Sequence, residues 1–312
     1  MLVTMNEILH DARKGHYAVG LFNAVTLELA QGIIAAAEET GSPVIFGTAE
    51  VLLPYNSLED LAMILIPMAK RAKVPVVVHL DHGLHKETCL KALKLGFSSI
   101  MYDCSTDPYE INCQKVREMA DIAHSYGASI EGEVGHVGGA EGTATAEDMA
   151  DASKFYTKPE EAKDFVDRTG VDALAIAVGT AHGAYKLPPK LDFNRIREIA
   201  AAIPTPLVLH GGSGLTDDDF RKCVQAGISK VNIFTDINVS AVEAALRHFT
   251  ELGKGIIDLL PSIREAVKLS VMEKMRLFGS AGVYGPGCQP AANQEEIVRR
   301  VVEEVLRAKG IV

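Results

Sequence analysis

The sequence predicts a (β/α)8 TIM barrel with appended C-terminal helices, and three observations carry that prediction. Eight apolar runs of strand length recur along the 312 residues. Segments with apolar residues at helical spacing separate them, and polar side chains gather where the runs end. A doubly wound open sheet shares the βαβ rhythm, but the count of eight and the clustering at the C-terminal tips favour the closed barrel. One domain over residues 1–312 is expected, with C-terminal helices from about residue 255, because α/β barrels reach this length as single units.

The opening stretch MLVTMNEILHDARKGHY is a short amphipathic helix with charges throughout. The strand runs cover residues 17–25, 43–48, 74–82, 98–103, 128–135, 173–180, 206–214 and 229–236. Between them lie helical patterns such as LELAQGIIAAAEETG, SLEDLAMILIPMAKRA and PYEINCQKVREMADIAHSYG. Gly41, Gly96, Gly127, Gly170 and Gly227 stand before the next strand, where helix C-caps belong. The Gly- and Ala-rich residues 135–156 after strand five read as a mobile active-site loop. From about Val239 the chain reads as helical, ending in EEIVRRVVEEVLRAKG.

Composition narrows the function. At 47% hydrophobic the chain can fill a large core, and its formal charge of −10 argues against nucleic acid or an anionic membrane surface as partner. The five cysteines (Cys89, Cys104, Cys113, Cys223, Cys288) are scattered and never form a CxxC pair. They read as reduced thiols, with neither a disulfide framework nor a zinc-cysteine site. No run has the length of a signal peptide core or membrane span, so a cytoplasmic location is expected.

In a barrel the C-terminal strand tips converge on one site. In order, these tips are Asn23, Thr48, Asp81 with His82, Asp103, Glu133, His182, His210 and Asn232. Strands three, six and seven each bring a histidine in LDHG, GTAHG and LHGG. Three imidazoles from three elements with a fourth position open is how a catalytic zinc is held. His10, His16, His85, His124, His136 and His248 are assigned structural or surface roles, and His79 a core role behind Asp81. Neighbours on a strand face opposite ways, so Asp81 and His82 need a bend to reach the mouth together, and Gly83 is expected to permit it. Asp81 then stands beside the ion, free to move a proton. HGGSG (210–214) and NIFTD (232–236) occupy the strand-seven and strand-eight positions where barrels bind phosphate.

HLDHG, IEGEVGHVGG, GVDALAIAVGTAHGAYK, PLVLHGGSGL, KVNIFTD and KMRLFGSAG together resemble the class II, metal-dependent fructose-bisphosphate and tagatose-bisphosphate aldolase family over almost the whole chain. The resemblance implies zinc ligation by His82, His182 and His210, with Glu133 as the acidic residue near the metal. It implies Asp81 as acid/base for the C4 hydroxyl and Glu141 as the group handling the C3 proton. Gly183, Gly211, Ser213, Asn232 and Thr235 resemble the binders of the dihydroxyacetone phosphate half, with Asn23 and Thr48 completing the substrate set. Asp103 is expected among the metal-associated residues, helping to place a monovalent cation. The implied reaction is reversible cleavage of a ketose 1-phosphate or 1,6-bisphosphate into dihydroxyacetone phosphate and an aldehyde, by a homo-oligomer (dimer or tetramer).

Two departures touch the distal half of the substrate. Phe234 stands where the family carries Asp or Asn, and GIIDLLPSIREA (255–266), with Arg264, does not match the arginine motif that grips the distal phosphate. A metal-dependent sugar-phosphate epimerase on the same barrel is the alternative, and needs two facing carboxylate ligands where three histidines dominate. A catalytically silent sugar-phosphate sensor is disfavoured by Asp81 and Glu141. A Schiff-base aldolase needs a lysine projecting into the barrel, and strand six offers none, Lys186 lying well beyond it.

Overall fold

Helix α1 (Met5–Gly15) begins where the Glu7 carboxylate accepts the Thr4 backbone N–H at 2.7 Å. Its apolar face, Met5, Ile8, Leu9 and Ala12, is buried in one cluster with Val19, Leu21, Ile45, Val77, Ala173, Ala175 and Val208. Those seven are lumenal strand positions, so α1 plugs the bottom of a barrel. Burying each of its large side chains contributes roughly 1.5–3 kcal/mol. The computed structural model describes residues 1–135, 137, 156–181, 189–252 and 255–285.

Eight parallel strands close on themselves in sequence order: β1 (Val19–Asn23), β2 (Val44–Ala49), β3 (Val76–Gly83), β4 (Ser99–Tyr102), β5 (Ser129–Val134), β6 (Ala173–Ile176), β7 (Leu207–Leu209) and β8 (Ile228–Ile233). β8 returns to β1 with Leu21 opposite Asn232. The crossovers are α2 (Leu27–Thr40), α3 (Leu58–Arg71), α4 (Lys86–Leu95), α5 (Tyr109–Ser125), α6 (Pro159–Thr169), α7 (Phe193–Ala202) and α8 (Asp217–Ala226). Alternate strand residues such as Val44, Phe46, Val76, Val78 and Leu80 face outward into the larger core beneath these helices. After β8 come α9 (Thr235–Leu252) and the appended α10 (Ile256–Leu277), which packs on α2 and α9.

All five glycines expected at helix ends have positive φ, from 61° at Gly41 to 125° at Gly227. β6 and β7 are shorter than the apolar runs suggest. Past Ile176 the backbone leaves its neighbours: Ala177 exchanges hydrogen bonds with Thr157, and the Val178 carbonyl accepts the Asp192 N–H at 3.0 Å. β7 gives way at His210 to the glycines, with Gly211 at φ 63°. Helix α9 starts at Thr235, four residues before the expected Val239. Nearly all of the expected active-site loop and the EEIVRRVVEEVLRAKG segment lie outside the described residues.

Candidate active site at the barrel mouth

β3 presents two adjacent residues to the mouth by means of a bulge. Its pairing with β4 runs His79 to Ser99 and Leu80 to Ile100, then jumps to Gly83 opposite Tyr102, so β3 carries one extra residue there. The irregularity sits at His82 itself, whose φ of 43° is left-handed. A non-glycine residue in that region costs about 1–3 kcal/mol and persists where the surroundings impose it, often at functional sites. The bend is therefore not supplied by Gly83, as the sequence suggested. Gly83 stays in the strand for want of space, since a Cβ there would meet Cys89 Sγ at 2.6 Å and the Met101 carbonyl oxygen at 2.7 Å.

His82 and His210 meet edge to face, with His82 Nε2 and His210 Nδ1 only 2.7 Å apart. Each ring is held from its far side by a carboxylate. Asp103 Oδ2 lies 2.8 Å from His82 Nδ1, and Glu131 Oε1 lies 2.8 Å from His210 Nε2. Asp103 also accepts the Ser105 N–H. One ligand atom each from Asp81, His82 and His210 fall within 4.8 Å of one another, and so do those of His82, Asp103 and Glu133.

The charges around this centre are negative. His82 is pushed up to about 10, burial opposing the charge and Asp81, Asp103 and Glu133 overcoming it. Glu133 is pushed up to about 8 by burial and by the Asp103 charge. Burial acts to raise Asp103 too, but the His82 hydrogen bond and charge outweigh it and hold the carboxyl well below the usual range. Buried Glu133 Oε2 has no protein partner among the described residues, while Oε1 accepts the Val137 N–H. Two facing imidazole nitrogens, oriented by carboxylates and ringed by acidic oxygens, fit a divalent ion of the zinc type.

Asp81 is fully buried beside this pair and accepts Asn232 Nδ2 at 2.9 Å and Asn23 Nδ2 at 3.4 Å. Both asparagines keep a buried Oδ1 with no partner among the described residues. Ser213 Oγ accepts the Phe234 N–H at 3.2 Å, tying the β7 and β8 tips together where α9 begins at Thr235. Gly211 lies flat on the β6 extension: a Cβ there would sit 2.3 Å from the Ala181 carbonyl oxygen, one residue before His182 in the chain.

Thr48 is not brought into this group. Register and alternation place it with Val44 and Phe46 on the helix side of β2, opposite Leu80. The lumenal position is Gly47, where a Cβ would strike Asn23 Oδ1 at 2.7 Å. Glu141, His182 and Gly183 lie outside the described residues, as do His136, Lys186 and Cys288. His85 Nδ1 pairs with Glu50, His124 with Asp172 and His248 with Ser262, and His16 caps α1. His79 is in the lumen with Nδ1 on Ser99 Oγ at 2.8 Å. Phe234 is half-buried against the outer core, and Arg264 donates to Gln31 on α2 at 3.0 Å.

Two functional candidates escaped the sequence reading. Glu131 and Lys230, both fully buried, project into the lumen one level below the mouth, with Nζ 2.8 Å from Oε2. A lysine therefore does enter the barrel, from β8, and it is paired with a carboxylate. The signal was the strand period: Glu131 stands two residues before Glu133, Lys230 two before Asn232, and His79 two before Asp81.

Residues 3–283 match the family described as fructose-bisphosphate aldolase class-II. The fructose-bisphosphate aldolase of Thermus caldophilus is 40% identical over 310 aligned residues, covering 90% of this chain and 99% of that protein. The probable fructose-bisphosphate aldolase of Bacillus subtilis is 40% identical over 286 residues, covering 90% of this chain and 98% of that protein. The crystal structure of the YdjI aldolase from Escherichia coli K12 superposes with a TM-score of 0.81 at 35% identity, over 91% of this chain and 100% of that one. No helix among the described residues is long and apolar enough to cross a membrane. A match of this length, on a closed barrel whose mouth holds paired imidazoles beside a buried aspartate, places the chain in the class-II fructose-bisphosphate aldolase family, a family of metal-dependent lyases that act on sugar phosphates.

Proposed function

We propose that this aldolase is zinc-dependent and cleaves a ketose 1-phosphate or 1,6-bisphosphate to dihydroxyacetone phosphate and an aldehyde. The observation that carries the metal reading is the 2.7 Å approach of His82 Nε2 and His210 Nδ1 beside Asp81, each ring backed by a carboxylate. His82 and His210, with His182 from the β6 loop, would hold the ion, and Glu133 lies within reach. Bound there, the ion supplies a Lewis acid for the substrate carbonyl. Asp103 orients His82 and stands near any monovalent cation at the mouth.

Asp81 removes the C4 hydroxyl proton as the C3–C4 bond breaks. Asn23 and Asn232 hold its carboxylate in place through their side-chain amides. Glu141 returns a proton to C3. Gly183, Gly211, Ser213, Asn232 and Thr235 hold the phosphate-bearing half, beside the N-terminus of α9, where backbone N–H groups favour an anion. The chain forms one barrel domain and a homo-oligomer, supported by the exposed apolar Val242, Leu246 and Phe249 along α9. A cytoplasmic location is supported by four buried cysteines without a disulfide.

The test is a panel of ketose 1-phosphates and 1,6-bisphosphates with dihydroxyacetone phosphate release as readout, alongside zinc content. Release that disappears on chelation and returns with zinc is the expected result. C4 epimerisation without release would overturn the proposal in favour of an epimerase.

A further inference from the structure

The lumen below the mouth holds a buried ionic chain that an apolar core could have replaced. Its floor is Val, Leu, Ile and Ala, yet the next layer carries Glu131 and Lys230, both with fully buried side chains. Burying such a pair costs several kcal/mol of desolvation per ion, and apolar residues of equal volume are often as stable or better. Stability alone therefore does not account for it.

The geometry gives it a different task. The two oxygens of Glu131 are divided: Oε2 takes Lys230 Nζ at 2.8 Å, and Oε1 takes His210 Nε2 at 2.8 Å. An ionised carboxylate only accepts hydrogen bonds, so the proton of a neutral His210 sits on Nε2 and the lone pair on Nδ1. That lone pair is on the atom 2.7 Å from His82 Nε2. Asp103 holds His82 from its Nδ1 side in the same way, turning Nε2 toward His210. The nearby His79 does not compete: its Nδ1 is on Ser99, and its Nε2 stands 4.0 Å from Glu131 Oε2.

We propose that Lys230 and Glu131 act as positioning residues, the lysine anchoring the carboxylate that fixes the tautomer and ring orientation of His210 for metal binding. This rests on the metal site proposed above. Partners behind a metal-bound histidine fix its orientation, and their loss typically weakens metal affinity 10- to 100-fold.

The experiment titrates full-length apo-protein with Co2+ and Zn2+ against a chromophoric chelator and measures urea unfolding of the same samples. Glu131→Gln/Lys230→Met removes both charges at once, so no lone buried ion remains. It is expected to unfold cooperatively near the wild-type midpoint while binding either ion at least 10-fold more weakly. If the pair is merely structural, the double variant binds as tightly as wild type, and the proposal is overturned. Should that variant fail to fold, Glu131→Asp keeps the charge beside Lys230 but draws the carboxylate back from His210. Weakened binding is again expected, and wild-type affinity overturns the proposal. Wild-type protein that takes up neither ion overturns the metal site together with this inference, whereas wild-type binding with unimpaired variants overturns this inference alone.

Discussion

Replacing Asp81 separates its proton-transfer role from its structural one. The side chain is fully buried and takes one good hydrogen bond, from Asn232 at 2.9 Å, and one long one, from Asn23 at 3.4 Å. Asp81→Ala orphans the Asn232 donor, and an unsatisfied buried donor costs about 1–3 kcal/mol. The Asn23 bond, being long, adds little. Asp81→Asn keeps an acceptor oxygen for Asn232, so its stability should stay within about 1 kcal/mol of wild type. Neither variant can take a proton from the C4 hydroxyl. General acid–base catalysis contributes roughly 10²–10⁴-fold, or about 2.7–5.4 kcal/mol at 1.36 kcal/mol per decade. Both variants should therefore lose that factor in kcat, although they differ in stability. The assay is steady-state cleavage coupled to dihydroxyacetone phosphate reduction, with urea melts and metal content on the same preparations. A kcat within about threefold of wild type with a raised KM would make Asp81 a binding residue. Loss of the metal from Asp81→Asn would make it a ligand, and either result refutes the reasoning.

Gly83→Ala puts a Cβ 2.6 Å from Cys89 Sγ and 2.7 Å from a backbone oxygen; overpacking of this kind costs about 1–3 kcal/mol, so an unchanged urea midpoint would show that the β3–α4 junction has slack. Glu50 accepts the Leu84 and His85 N–H groups, His85 Nδ1 and Thr88 Oγ1. Burial acts to raise its pKa, but these hydrogen bonds outweigh it and lower it from 4.5. A depressed carboxyl stabilises fully above its ordinary value and loses that contribution as pH falls through the folded one. The stability gap between wild type and Glu50→Gln should thus be full at neutral pH and shrink below 4.5; a gap constant from pH 7 to 3 counts against it. For the distal end, Phe234 packs on the outer core and Arg264 is bonded to Gln31. One lost charge-assisted hydrogen bond costs about 1.5–3 kcal/mol, roughly 10- to 150-fold. The kcat/KM preference for a 1,6-bisphosphate over its 1-phosphate should stay below ~10³, and a larger ratio would reveal another clamp.

The alternation of eight apolar runs with helical patterns determined the barrel, since most of the runs end in polar residues that a convergent mouth gathers. His82, His210, Asp81, Asn23 and Asn232 were legible for that reason: they are polar groups at the ends of runs otherwise fit for burial. The same pattern placed the helix-capping glycines. What lay between the tips and the floor was decided only by closure of the sheet. Strands of a parallel barrel are buried on both faces, so hydropathy does not tell lumen from helix side. Thr48, a tip residue by position, turned out to share the outer face with Val44 and Phe46. Glu131 and Lys230, unremarkable within their strands, became partners only because β5 and β8 face each other across the lumen. The bulge that sets His82 beside Asp81 has the same origin. A left-handed φ at a histidine is locally unfavourable, and the pairing of β3 with β4 is what imposes it.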